Sequence, residues 1–236
     1  LRLVGSEMCI RDSCYTNYLI EDSIKKQMVS DIPICTFLSG GLDSSLVSSI
    51  VSSNLGDKKL NTYSFDFVDN DINFKANSFQ TTRDRPFVDI MTEYIGSNHK
   101  YLECNNADQI NCLFEAVDAR DMPCMADVES SMLYFCRLVS RECKVTLTGE
   151  CADEIFGGYP WFHRTDMLNQ NTFPWSYDMN ARTYLFKKDF IDELNIDDYV
   201  KNAYETSVGE CEYLNDENET ETLRRKVTWL NIKWFM

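Results

Sequence analysis

The apolar run Ile34 to Leu38 stops at Ser39-Gly40-Gly41, and an apolar pattern of helical period, Leu46, Val47 and Ile50, resumes after Asp43. No other stretch restricts the fold as much. A buried strand that passes through a glycine-rich turn into a helix is the start of a β-α-β unit, and such units build parallel sheets covered by helices on both faces. The rest of the chain repeats the alternation. Residues 59–67 (KLNTYSFDF), 99–104 (HKYLEC) and 144–149 (KVTLTG) read as further strands. Residues 15–30, 43–54, 85–96, 107–120 and 127–142 read as helices, the third with Pro86 in its first turn and Gly96 at its end. Residues 68–84 are polar without a clear period and read as a long surface loop, and the chain from about residue 160 reads as helical and acidic. The expected fold is α/β: a mainly parallel sheet with helices on both faces, followed by a helical segment. Ligands bind such sheets at the carboxyl ends of the strands, near a topological switch point. Both glycine-rich turns, 39–45 and 148–158, fall at that edge.

Charge and composition remove several classes of function. A formal net charge of -15 argues against nucleic acid as a partner. No signal peptide and no apolar run long enough to span a bilayer is present, so no membrane partner is expected. The ten cysteines contain no CxxC pair, which argues against zinc ribbons and thioredoxin chemistry. Several lie inside apolar patterns, as small buried residues do, and together these features read as a reducing, cytoplasmic compartment. The opening LRLVGSEMCIRDS resembles translated adapter read-through, so residues 1–13 read as a non-native leader; the closing VTWLNIKWFM stops within a helix-like pattern and reads as truncated.

The chemistry of the first turn is anion binding. Gly40 and Gly41 let the backbone turn tightly and approach a ligand. The helix that follows offers unpaired N–H groups and a partial positive charge, and Ser39, Ser44 and Ser45 can donate hydroxyl hydrogen bonds to phosphate oxygens. Asp43 suits such a site only if a divalent cation lies between it and the phosphates. The turn lacks the lysine of a Walker loop, GxxxxGK[ST]. The plainer reading is a strand-to-helix turn capped by Asp43 or Ser39. The second turn, TGECADEIFGGY (148–159), crowds Glu150, Asp153 and Glu154 at helical spacing, which is costly without a cation or a proton to share. Its plainer reading is a helix start whose acids favour the dipole.

SGGLDSS resembles the pyrophosphate-binding loop of the N-type ATP pyrophosphatases, and TGECADEIFGGY resembles the [ST]GEGxDExFGGY motif of glutamine-dependent asparagine synthetases and the related β-lactam synthetases. The likeness extends through DARDMP and MADVESSMLYFCR (118–137), YPWFHR (159–164) and LNIKWFM (230–236), so it covers about residues 15–236. Cys151 stands where the family usually has its second glycine, and Thr148 where it commonly has serine.

This resemblance implies an adenine nucleotide alpha hydrolase-like fold of the ATP pyrophosphatase type. A synthetase domain would occupy residues 14–165, with 166–236 as its helical extension. ATP and Mg²⁺ are the implied cofactors. Phe37, Leu38, Phe65, Thr148 and Gly149 would line the nucleotide pocket, and Ser39, Gly40, Gly41, Asp43, Ser44 and Ser45 would hold the pyrophosphate. Asp43 and Asp153 would ligate Mg²⁺, and Glu150 would be the catalytic acid–base group. The implied reaction adenylates the aspartate side chain and then joins it to ammonia. The ammonia would come from a glutaminase domain absent from this chain, and a homodimer of the full-length protein stays open. A β-lactam-synthetase-like enzyme and a non-catalytic nucleotide-binding paralogue are the alternatives. His99 and His163 read as packing or surface residues.

Overall fold

In the computed structural model, described for residues 2–77, 80–123, 125–215 and 217–236, periodic apolar residues become packed faces. Residue 1 and the side chains of residues 2–9, part of the expected leader, lie outside that description, as does Cys124. The chain divides into two units, Leu1–Gly149 and Glu150–Met236.

The first unit begins with α1 (Arg2–Gln27), which runs back through the segment read as leader and ends before Met28 and Val29. Ile20, Ile24 and Met28 face the core, while Glu21–Lys25 and Asp22–Lys26 pair one turn apart on the outside. Then come β1 (Ile34–Phe37), α2 (Leu42–Asn54), β2 (Asn61–Phe67), α3 (Asn70–Asn73), α4 (Arg85–Ile95), β3 (Asn98–Cys104), α5 (Asn106–Arg120), α6 (Ala126–Val139) and β4 (Val145–Leu147). Pro86 sits in the first turn of α4 and Gly96 ends it in the left-handed region at φ +62°, as their positions imply. The expected loop at 68–84 contains α3. This one turn follows Asp69, itself at φ +60°, and is too short to show a period.

All strand pairs are parallel, in the order β3-β2-β1-β4. Alternation divides β1 between two cores. Ile34 joins Ile24, Val51 and Leu60 under α1 and α2, with Ile95 of α4 against them. Cys35 joins Tyr63, Val139 and Cys143 on the α6 side, with Phe37, Phe65 and Leu102 around them. Helices therefore cover both faces. The chain leaves β1 toward β2 and β3, then returns to β4 on the other side of β1. The switch point lies between β1 and β4, the two strands that carry the glycine-rich turns.

The second unit is helical: α7 (Ala152–Phe156), α8 (Thr165–Leu168), α9 (Met179–Thr183), α10 (Lys188–Leu194), α11 (Ile196–Gly209) and α12 (Glu219–Phe235), with 3-10 turns at Pro160–Phe162 and Pro174–Ser176. Its core gathers Trp161, Phe162, Leu168 and Val227, beside Phe173, Tyr204 and Leu230. The acidic-then-basic start of α12 is capped by Asn218, whose side chain accepts from the Glu221 N–H.

Candidate functional site

The first turn is braced from within. Leu38 is fixed at the end of β1: its N–H donates to the Tyr63 carbonyl at 2.9 Å, and its carbonyl accepts from the Ser64 hydroxyl. The Ser39 N–H donates to Ser44 Oγ at 3.1 Å, the two hydroxyls lie 2.9 Å apart, and the Gly41 N–H reaches Ser39 Oγ at 3.3 Å. The capping residue of α2 is Gly41, in extended backbone. Among the described residues no side-chain hydrogen bond caps this end, unlike the plainer reading in which Asp43 or Ser39 would, and the start of α2 suits an anion.

Two glycines are required by what presses on them. Gly40 lies at φ +78°, and a Cβ there would stand 2.6 Å from Phe87 Cβ and 2.8 Å from the Val88 nitrogen, in the first turn of α4. A Cβ on Gly149 would stand 2.8 Å from the Ser44 nitrogen and 2.9 Å from the Asp43 carbonyl carbon. The end of β4 thus lies against the Asp43–Ser44 peptide, as the register Thr36 beside Leu147 requires. The hydroxyl oxygen of Ser45 is buried with no hydrogen-bond partner among the described residues. Such an atom carries a desolvation penalty that a ligand oxygen would relieve. An uncapped helix start, glycine backbone on two sides and an orphaned hydroxyl fit a polyphosphate.

Phe37 and Phe65, expected at the nucleotide, pack edge to face with centroids 4.6 Å apart, and Phe65 stacks on Phe135 at 4.4 Å. Their rings belong to the α6-side core. His99 is half-buried, its Nδ1 2.8 Å from Thr62 Oγ1, and burial lowers its pKa; His163 is exposed, with Nε2 2.9 Å from the Gly157 carbonyl.

In the second unit the three crowded acids separate. Glu150 is exposed, Asp153 is half-buried and Glu154 is buried, only 7% exposed. The Glu154 carboxylate accepts from the Tyr159 hydroxyl at 2.7 Å, and burial, with Glu154 alongside, raises the Tyr159 pKa. The Asp153 carboxylate lies over Gly158, where a Cβ would come within 2.7 Å of its Cγ. Sequence reading gave Glu154 no role apart from its neighbours; the available signal was Tyr159, five residues on. Ser64 was also missed, one hydroxyl among several polar residues of β2.

Cys151, on the family's usual glycine position, lies in the left-handed region at φ 71°, ψ -1°. A non-glycine residue there is strained by about 1–2 kcal/mol. Cys151→Gly should stabilise the chain by roughly 0.5–1 kcal/mol after the added chain entropy is subtracted, and Cys151→Ala should not. Thermal melts of the two variants decide this; equal midpoints would place the cost elsewhere.

A family model described as asparagine synthase matches residues 16–236. The chain belongs to the asparagine synthase family. It is 42% identical over 221 residues to asparagine synthetase [glutamine-hydrolyzing] 3 of Bacillus subtilis (strain 168), an alignment covering 92% of this chain and 36% of the relative. It is 31% identical over 147 residues to asparagine synthetase [glutamine-hydrolyzing] 2 of Oryza sativa subsp. japonica, covering 61% of this chain and 24% of the relative. For asparagine synthetase [glutamine-hydrolyzing] 1 of Lotus japonicus the identity is 27% over 214 residues, with coverages of 79% and 35%. The chain therefore spans about a third or less of the length of these relatives. Membership of the asparagine synthase family accords with ATP as the nucleotide and with the parallel sheet of the adenine nucleotide alpha hydrolase type. Among the described residues, no helix is long and apolar enough to cross a membrane, and the eight cysteines whose side chains are described are free thiols.

Proposed function

We propose that this chain is the ATP-dependent synthetase portion of a glutamine-hydrolysing asparagine synthetase. The observation that carries the reading is the approach of Gly149 to the Asp43–Ser44 peptide at the uncapped start of α2, at the switch between β1 and β4. The aspartate side-chain carboxylate attacks the α-phosphorus of ATP and pyrophosphate leaves; ammonia then attacks the acyl carbon, giving asparagine and AMP. Backbone N–H groups at the start of α2, with the Ser45 hydroxyl, hold the pyrophosphate as charge builds on it, while the Ser39 and Gly41 N–H groups brace the turn itself; catalysis of the first step is positioning and charge neutralisation. Glu150 takes the proton that the attacking nitrogen loses as the C–N bond forms and AMP leaves. Asp43 and Asp153 are the proposed carboxylates for Mg²⁺, which supplies charge neutralisation when bound. This hard cation takes one or two carboxylates along with phosphate oxygens and water. Thr148, Gly149, Phe37, Leu38 and Phe65 belong to the nucleotide side, the last three through the β-strand ends they fix. Aspartate and ammonia are the remaining reactants, the ammonia coming from a glutaminase domain outside this chain, and the reading carries a cytoplasmic setting with it.

The test is exchange of labelled pyrophosphate into ATP by the full-length protein. Exchange that requires aspartate is expected. Exchange supported by a different carboxylic acid would indicate a β-lactam-synthetase-like enzyme, and none with any acid a non-catalytic paralogue.

A further inference from the structure

We propose that Tyr159 and Glu154 form a positioning pair that fixes the short helix carrying Asp153, so that the Asp153 carboxylate is held ready for its ligand. This rests on the metal-binding role proposed for Asp153. The need for such a pair follows from the helix itself. α7 has five residues, far fewer than a helix needs to persist in water, and it lies between two positive-φ residues, Cys151 at 71° and Gly157 at 75°. Its geometry must be imposed by tertiary contacts.

Glu154 supplies one. A carboxylate is costly to bury and is kept only with a partner, yet Glu154 is turned inward and its one described side-chain hydrogen bond is the 2.7 Å bond from Tyr159. The Tyr159 ring stacks on Trp161 with centroids 4.4 Å apart, and Trp161 belongs to the buried cluster with Phe162, Leu168 and Val227. The tie therefore runs from α7 through one hydroxyl into the core. It closes the same turn in which the N–H groups of Gly157 and Gly158 both donate to the Asp153 carbonyl, at 3.0 and 3.1 Å. Asp153 and Glu154 are adjacent, so fixing the Glu154 side chain inward fixes the direction in which Asp153 leaves the helix.

The experiment uses the full-length protein with Tyr159→Phe and the double variant Tyr159→Phe/Glu154→Gln. Mg·ATP affinity is measured by calorimetry, and amide exchange is followed at Gly157 and Gly158. Tyr159→Phe leaves a buried carboxylate unpaired. It should weaken Mg·ATP roughly tenfold, as loss of one charge-assisted hydrogen bond implies, and speed exchange at both glycines. The double variant removes the stranded charge and should recover most of both losses. Unchanged affinity and exchange in Tyr159→Phe, or a loss that Glu154→Gln does not repair, overturns the pair. Wild-type protein that binds no Mg·ATP would instead overturn the proposed function, and the exchange rates would then decide the pair by themselves.

Discussion

Replacing Glu150 by glutamine is expected to slow asparagine formation from ammonia by ~10²-fold or more, within the range that a positioned acid–base group contributes, while leaving ATP affinity near wild type. The argument begins from repulsion. Glu150 follows Gly149, the residue pressed against the Asp43–Ser44 peptide where the pyrophosphate is proposed to lie. Without a cation between them, a carboxylate near a polyanion repels it, so Glu150 is poorly suited to bind phosphate directly. Its proposed use therefore lies with the acyl carbon, the metal or the incoming ammonia. Exposure agrees with this: of the three acids in the second turn, Glu150 is the exposed one, whereas Glu154 is buried on Tyr159 and Asp153 lies over Gly158. Glutamine keeps the shape and removes charge and basicity. The decisive pair of measurements is the ammonia-dependent rate and the ATP dissociation constant on the same preparation. Near-normal synthesis, or a loss accounted for by weaker ATP binding, would reduce Glu150 to an acid at a helix start.

Much of this architecture was legible in the sequence because short strand-like runs alternate with helical periods and are punctuated by glycine-rich turns. Ile34–Leu38 ended where glycines had to begin, and the strand-helix alternation implied a switch point before any strand order was known. Four things were not legible, for different reasons. The helix at Asn70–Asn73 is a single turn of four residues, too short to repeat an apolar pattern, so no period could mark it. Glu150, Asp153 and Glu154 look alike in sequence, because spacing places them on one turn without saying which of them finds a buried hydroxyl. The strain at Cys151 was likewise hidden. Exchanging glycine for a small residue looks mild as a change of volume and costs energy only once the backbone is known to be left-handed there. The contacts that make Gly40 and Gly149 obligatory come from α4 and from the first turn of α2, and both depend on tertiary placement.

Gly149→Ala is expected to abolish measurable Mg·ATP binding while the chain stays folded. The added methyl would lie 2.8 Å from the Ser44 nitrogen and 2.9 Å from both the Asp43 carbonyl carbon and Cβ, closer than real side-chain carbons approach backbone. Backbone cannot rotate away as a side-chain tip can, so either β4 or the first turn of α2 must move. β4 is held by its ladder to β1, with Ile34 beside Val145 and Thr36 beside Leu147. The turn is held by lighter bonds among Ser39, Gly41 and Ser44. The turn should therefore yield, carrying Asp43 and the N–H groups of α2 away from the polyphosphate position. Overpacking of this kind costs ~1–3 kcal/mol of stability, which a domain of this size tolerates, but the same displacement removes several phosphate contacts together. Gly209→Ala is the control. It ends α11, a Cβ there meets nothing within 4 Å, and alanine favours a helix, so binding and fold should both persist. Calorimetric titration of Mg·ATP into the two variants, with melting curves beside it, separates the cases. Binding by Gly149→Ala at wild-type strength would mean that the polyphosphate does not lie on the Asp43–Ser44 peptide, and the shared edge of β1 and β4 would lose its proposed role.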